Sequence, residues 1–199
     1  MVNDNQQSRQ TTPTPKPRPA DVIPTLFVGL GGQGRRIAEN LKVRLEERYE
    51  SVPGKYDDHI KFFCADTNVH ERFGASFPSD PNRPPLELTG DELFSLANTP
   101  IEDLRSGQHP LGRLLPAELY SDQIYQGAQQ IRRLGRVSLL DHYTDFRTKL
   151  KAIITALLQP NKNPPADGLQ RLDDKLLQVY IVCSICGGTG SGTFIDTAY

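Results

Sequence analysis

The feature that most constrains the fold is a pattern that occurs twice: a short apolar run, a loop made largely of glycine, then a helix-like stretch. The first copy is "PTLFVGLGGQGRRIAENL", with its loop at residues 29–34. The second is "LLQVYIVCSICGGTGSGTFIDTAY", with its loop at 187–192. A continuous apolar run that stops at glycines reads as a strand buried on both faces, which belongs in a parallel sheet. A strand that turns through glycine into a helix builds an α/β layer structure.

The segment between the copies supports that reading. Ile37, Leu41 and Leu45 recur every four residues and predict an amphipathic helix after the first loop. "IKFFCA" (60–65) predicts the next strand, closing a β–α–β unit with the usual right-handed crossover. Thr89 and Glu92 stand in capping-box spacing, and Thr99, Pro100 and Glu102 repeat the logic, so two short helices are expected there. The long loop-rich stretch 74–125 reads as an elaboration on one rim of the sheet. Leu139, Tyr143, Phe146, Leu150, Ile153, Ile154 and Leu157 form a three/four-spaced stripe that predicts one helix over 136–158. The last strand is expected at 176–185. The fold class is α/β: an open, mainly parallel sheet with helices on both faces.

Residues 1–22, rich in Gln, Thr and Pro, read as a disordered tail, with 23–199 as the folded domain. The tail is either a solvated leader or a docking motif for a protein partner. It has no apolar stretch of the kind a secretory signal needs. No run of about 18 apolar residues predicts a membrane span. A formal net charge of -1 gives no whole-chain field that would draw nucleic acid. Three cysteines are too few for a disulfide framework and fit a reducing, cytoplasmic setting. In "CSIC" (183–186) the two sulfurs lie three residues apart on a strand, hence on opposite faces, which suits packing rather than metal or redox chemistry.

Ligands of open α/β sheets bind outside the carboxyl ends of the strands, where both glycine loops fall. Glycine lets backbone approach an anion, and the N–H groups that open each following helix favour phosphate. Gly29, Gly31 and Gly34 fit the dinucleotide pattern, with Asp66 as a ribose-binding acid, although Asp66 lies further on than the usual ~20 residues. The second loop has P-loop glycine spacing, but Thr193 stands where the lysine belongs. Any phosphate there would be held by backbone amides and the Thr189 and Ser191 hydroxyls. A loop that only packs a helix against the sheet is the other reading.

"CGGTGSG" (186–192) resembles the signature of the tubulin/FtsZ superfamily, a small residue followed by G-G-T-G-small-G. "FVGLGGQGRRIAENL", "FFCADTN" and "YQGAQQIRRLGRVSLLDHY" resemble the earlier loops of that family in their order. The resemblance covers roughly 24–199 and points to the nucleotide-binding domain of a divergent prokaryotic relative, incomplete at its C-terminus. It implies GTP or GDP with Mg²⁺. Gly31, Gly32, Gln33 and Gly34 would lie along the α- and β-phosphates, and Gly187, Gly188, Thr189, Gly190, Ser191 and Gly192 on their other side. Asp66, Thr67 and Asn68 would lie near the γ-phosphate and Mg²⁺. Gly127, Ala128, Gln129 and Gln130 would close over it, with Arg132 adding positive charge. The third loop departs from the family by having less glycine. The resemblance implies self-association into filaments, with hydrolysis depending on segments beyond those present. The alternatives are an NAD(P)-binding enzyme and a tubulin-like scaffold that does not hydrolyse nucleotide.

Overall fold

The computed structural model describes residues 21–50, 56–68, 87–106, 109–115, 127–159, 169–173 and 175–199. Residues 1–20 of the expected tail, and most of the 74–125 elaboration, lie outside them. The last two residues of that expected tail belong to the folded part. Asp21–Val22 forms a short strand, β1, paired with β5 (Gln170–Arg171).

The main sheet has four parallel strands in the order β4-β3-β2-β6. They are β2 (Thr25–Leu30), β3 (Ile60–Asp66), β4 (Leu93–Ser95) and β6 (Gln178–Cys183). Helix α1 (Gly31–Tyr49) follows β2 directly, and α5 (Gly188–Ala198) follows β6. The expected open parallel α/β sheet is what the chain forms.

Period-2 alternation divides the side chains of β2 and β3 between two cores. Leu26, Val28, Leu30, Phe63 and Ala65 bury against α4 (Tyr143–Leu158) through Phe146, Leu150 and Leu157. There the rings of Phe63, Phe94 and Phe146 meet at 5.3 to 6.0 Å between centroids. The opposite face turns Phe27, Phe62 and Cys64 toward Ala38, Leu41 and Leu45 of α1. Register places Phe62 and Tyr180 on either side of Phe27, and the three rings stack at 5.5 and 5.1 Å. Helices therefore cover both faces, as the sequence implies.

Four local expectations are corrected. Of the expected stripe Leu41 and Leu45 pack inward but Ile37 is 48% exposed, and α1 also buries Arg35, Ala38, Glu39, Lys42 and Val43. The charged members are paired, Arg35 Nε with Glu39 Oε1 at 2.9 Å and Lys42 Nζ with Glu92 Oε2 at 2.7 Å. The Thr89–Glu92 capping bond forms, Thr89 N–H donating to Glu92 Oε2, but it closes a turn that leads into β4, not a helix. The open edge of β3 supplies backbone partners that outweigh local helix propensity. The second short helix, α2 (Ile101–Ser106), is present. Residues 136–158 are not one helix. The chain breaks at His142 between α3 (Arg132–Asp141) and α4, and α3 starts four residues earlier than expected.

Candidate functional site

Strands β2, β3 and β6 end level with one another, Leu30 opposite Ala65 and Cys183. From central β2 the chain runs to β3 on one side and later reaches β6 on the other, so the strand order reverses here. That is the switch point at which open α/β sheets leave a crevice. An open cleft of about 220 Å³ lies there. Four segments wall it: the start of α1, the turn after β3, the loop before α3 and the start of α5.

The first and last walls touch. A Cβ on Gly31, whose φ is +72°, would stand 3.0 Å from the Gly190 nitrogen and 3.2 Å from Thr189 Cβ. The N-terminus of α1 therefore abuts that of α5. Neither helix is capped by a side chain, neither carries an acid in its first turn, and the N-caps are Leu30 and Gly187. Helix α3 begins beside the cleft in the same uncapped way, behind Ile131. Uncapped first turns leave N–H groups and the positive end of the macrodipole for an external anion.

A chain of buried hydroxyls ties the walls together. Ala128 N–H donates to Thr67 Oγ1 at 2.8 Å, and Thr67 Oγ1 lies 2.7 Å from Thr189 Oγ1. The Asp66 carboxylate takes hydrogen bonds from Thr189 and from the backbone N–H groups of Asn68 and Thr67. An ionised carboxylate only accepts, so Thr189 donates to it and the Thr67 proton points to Thr189. Burial nevertheless dominates and pushes the Asp66 carboxyl up to about 6, against those hydrogen bonds and the charge of Arg35.

This shift has a sign that can be tested. In the unfolded chain Asp66 titrates near 3.8. Between pH ~4 and ~6 the folded protein thus keeps a proton that the unfolded chain has released. The stability tied to neutral Asp66 is present below about pH 4 and is lost as pH rises through 6. Asp66→Asn is expected to melt higher than wild type at pH 7 by several degrees, a margin that shrinks toward pH 4. Thermal melts of both proteins across that range measure the margin; one that does not change with pH counts against it.

Thirteen of the residues expected at the site line the cleft: Gly31, Gly32, Gln33, Asp66, Thr67, Asn68, Gly127, Ala128, Gln129, Gly187, Gly188, Thr189 and Gly190. Gly34, Gln130, Arg132, Ser191 and Gly192 do not. Gly34 faces the Val182 carbonyl and Gly29, backbone against backbone. Arg132 donates to the Ile185 carbonyl at 3.1 Å. The Ser191 hydroxyl donates to the Gly187 carbonyl of its own helix. Thr193, in the place of a P-loop lysine, is fully buried and donates to Thr189 O. Asp196 accepts from Arg136 of α3 in two bonds of 2.8 and 2.9 Å.

Several signature glycines serve helix packing. A Cβ on Gly192 would strike the Arg132 carbonyl, one on Gly188 the Ala128 carbonyl, and one on Gly135 of α3 the Gly188 carbonyl. The Gly188 N–H donates to Gln129 O at 2.5 Å. Gly187 differs, because a Cβ there meets only Ser184 Cβ, at 3.9 Å. Ser184 and Leu30 also line the cleft and were not expected. Their signal is positional: each closes or follows a strand whose carboxyl end opens on the site.

Fold and cleft together define an open α/β domain with a glycine-walled crevice at its switch point. A family model described as tubulin-like matches residues 26–199, and the chain belongs to that family. No curated protein and no solved structure matches it.

Proposed function

We propose that the cleft holds the phosphates of a guanine nucleotide, and that the protein acts through nucleotide-dependent self-association into filaments. The observation that carries this is the meeting of two uncapped helix N-termini, α1 and α5, at one glycine-walled crevice. At about 220 Å³ the crevice is smaller than the ~300–1,000 Å³ that encloses whole small ligands, which suits a polyphosphate tail. Among the described residues no Lys or Arg lines it. Backbone N–H groups and helix dipoles would therefore do the neutralising, together with a cation.

Guanine, self-association and a cytoplasmic setting rest on family membership. Among the described residues no helix is long and apolar enough to cross a membrane. They also hold no cluster of three or more His, Cys, Asp or Glu that could bind a metal. The site thus fits Mg²⁺ carried in by phosphate oxygens and water, with Asp66 as the one carboxylate and Asn68 beside it. Such an ion would offset phosphate charge. The dinucleotide alternative is weakened by Asp66, which turns its carboxylate to its own loop and Thr189 instead of presenting it to a ribose.

Calorimetry with GTP, ATP and NAD in Mg²⁺ buffer tests the reading. GTP is expected to bind most tightly; NAD binding without a GTP signal overturns it. Gly187→Val provides the matched variant. Gly187 has an ordinary extended backbone (φ -83°, ψ 154°) and open space beside it, so the fold tolerates the side chain. The branched group would occupy the approach of the phosphate. The melting midpoint is expected to stay within about 2 °C, and GTP affinity to fall at least tenfold. Unchanged affinity would return the loop to a packing role.

A further inference from the structure

Two threonines line the cleft, Thr67 in the turn after β3 and Thr189 in the first turn of α5, and both are buried. The sequence suggests a phosphate on the Thr189 hydroxyl, and an outer phosphate with its cation near Thr67. The bonding of the two hydroxyls points elsewhere. A hydroxyl has one proton to give and two lone pairs to receive with. Ionised Asp66 only accepts, so the Thr189 proton goes to it. The 2.7 Å contact between the two hydroxyls then uses the Thr67 proton. Neither threonine keeps a proton for a phosphoryl oxygen.

What Thr67 Oγ1 receives is the Ala128 N–H, at 2.8 Å. The rest of that loop is tied down as well. Ala128 O accepts from Ile131 N–H at 2.9 Å, and Gln129 O accepts from Gly188 N–H. The fit is close, since Gly127 has φ +81° and a Cβ there would lie 3.2 Å from Thr67 Oγ1. One oxygen, Thr67 Oγ1, is thus the point where the turn after β3, the start of α5 and the loop before α3 meet.

We propose that Thr67 is a positioning residue: its hydroxyl, clasped between the Ala128 N–H and Thr189, sets the loop before α3 in place, and neither threonine hydroxyl donates to the ligand. The order of this wall then comes from the chain's own bonds. The consequence for affinity rests on the nucleotide reading of the cleft; the clasp itself does not.

The test compares Thr67→Val, which keeps the shape and loses the hydroxyl, with Thr67→Ser, which keeps the hydroxyl. The first readout is amide hydrogen exchange in the protein without nucleotide. Thr67→Val is expected to speed exchange at Ala128 by about tenfold or more, while amides in the middle of β2 and β3 change less than about twofold. Thr67→Ser is expected to exchange like wild type. The second readout is calorimetry with GTP in Mg²⁺ buffer. A loop in place about a tenth of the time lowers apparent affinity about tenfold, so Thr67→Val should show that loss and Thr67→Ser should recover most of it. If Thr67→Val weakens GTP while Ala128 exchange stays at the wild-type rate, the hydroxyl serves the ligand directly and the proposal is overturned. It is equally overturned if Thr67→Ser exchanges as fast as Thr67→Val, or if Thr67→Val speeds β2 and β3 as much as Ala128. Wild-type protein that binds no nucleotide would overturn the phosphate reading, and the exchange rates would still decide the clasp.

Discussion

Gly192→Val is expected to destabilise the domain by about 3 kcal/mol or more and to lower its melting midpoint by roughly 10 °C. The cause lies in how α3 and α5 meet. A Cβ at 192 would strike the Arg132 carbonyl and lie 2.9 Å from Arg136 N, so backbone, not a flexible side chain, has to give way. Gly135 faces the Gly188 carbonyl across the same seam. The new methyls cannot be absorbed without parting two helices that Arg136 and Asp196 also hold together. The contrast with Gly187→Val, five residues earlier in the same loop, is the point of the experiment. One variant should lose the fold and the other only the ligand. If Gly192→Val melts within 2 °C of wild type, the seam is not as tight as the geometry says.

Arg35→Leu is expected to cost about 3–5 kcal/mol, because it leaves Glu39 buried without its counter-charge. Glu39 is 1% exposed, and its Oε2 already lacks a hydrogen-bond partner among the described residues. The double variant Arg35→Leu, Glu39→Leu is expected to recover most of the stability, since apolar replacements of both partners leave no charge to desolvate. Chemical denaturation of the three proteins settles this. A double variant no more stable than Arg35→Leu would show that Arg35 has a second duty. The natural candidate is its charge, which favours ionised Asp66 at the cleft.

The sheet was legible in the sequence where local signals and tertiary roles agree. "TLFVGL", "IKFFCA" and "QVYIVC" are mostly apolar and rich in β-branched or aromatic residues, and all three are strands of the main sheet. Legibility failed where a partner far away in sequence decides. Strand β4 exists because β3 offers an edge, and nothing inside "DELFSLAN" announces that. On α1 the apolar repeat pointed to Ile37, which is exposed, and gave no sign that Arg35, Glu39 and Lys42 are each buried with a partner. One of those partners, Glu92, is fifty residues away. The break at His142 carries no proline or glycine that would mark it.

For the site, glycine spacing located the cleft but could not divide the labour among its glycines. Gly31 and Gly187 line it with room or backbone geometry suited to a ligand, whereas Gly34 and Gly192 are small because another backbone lies against them. Sequence shows that a Cβ is missing; it does not show what stands in its place. The Thr67–Thr189 contact was equally invisible, since 122 residues separate its partners.

The seam between α3 and α5 also governs how the cleft can move. No flexible side chain lies between Gly135 and the Gly188 carbonyl, or between Gly192 and the Arg132 carbonyl. Close-packed contacts of this kind transmit displacement instead of absorbing it. The Gln129 to Gly188 bond and the Thr67 to Thr189 bond lock the neighbouring loops to the same block. Three of the four walls are thus tied to one another, and α1, fixed to the same sheet through β2, meets them where Gly31 rests on Gly190, so a displacement at one wall is felt at the others.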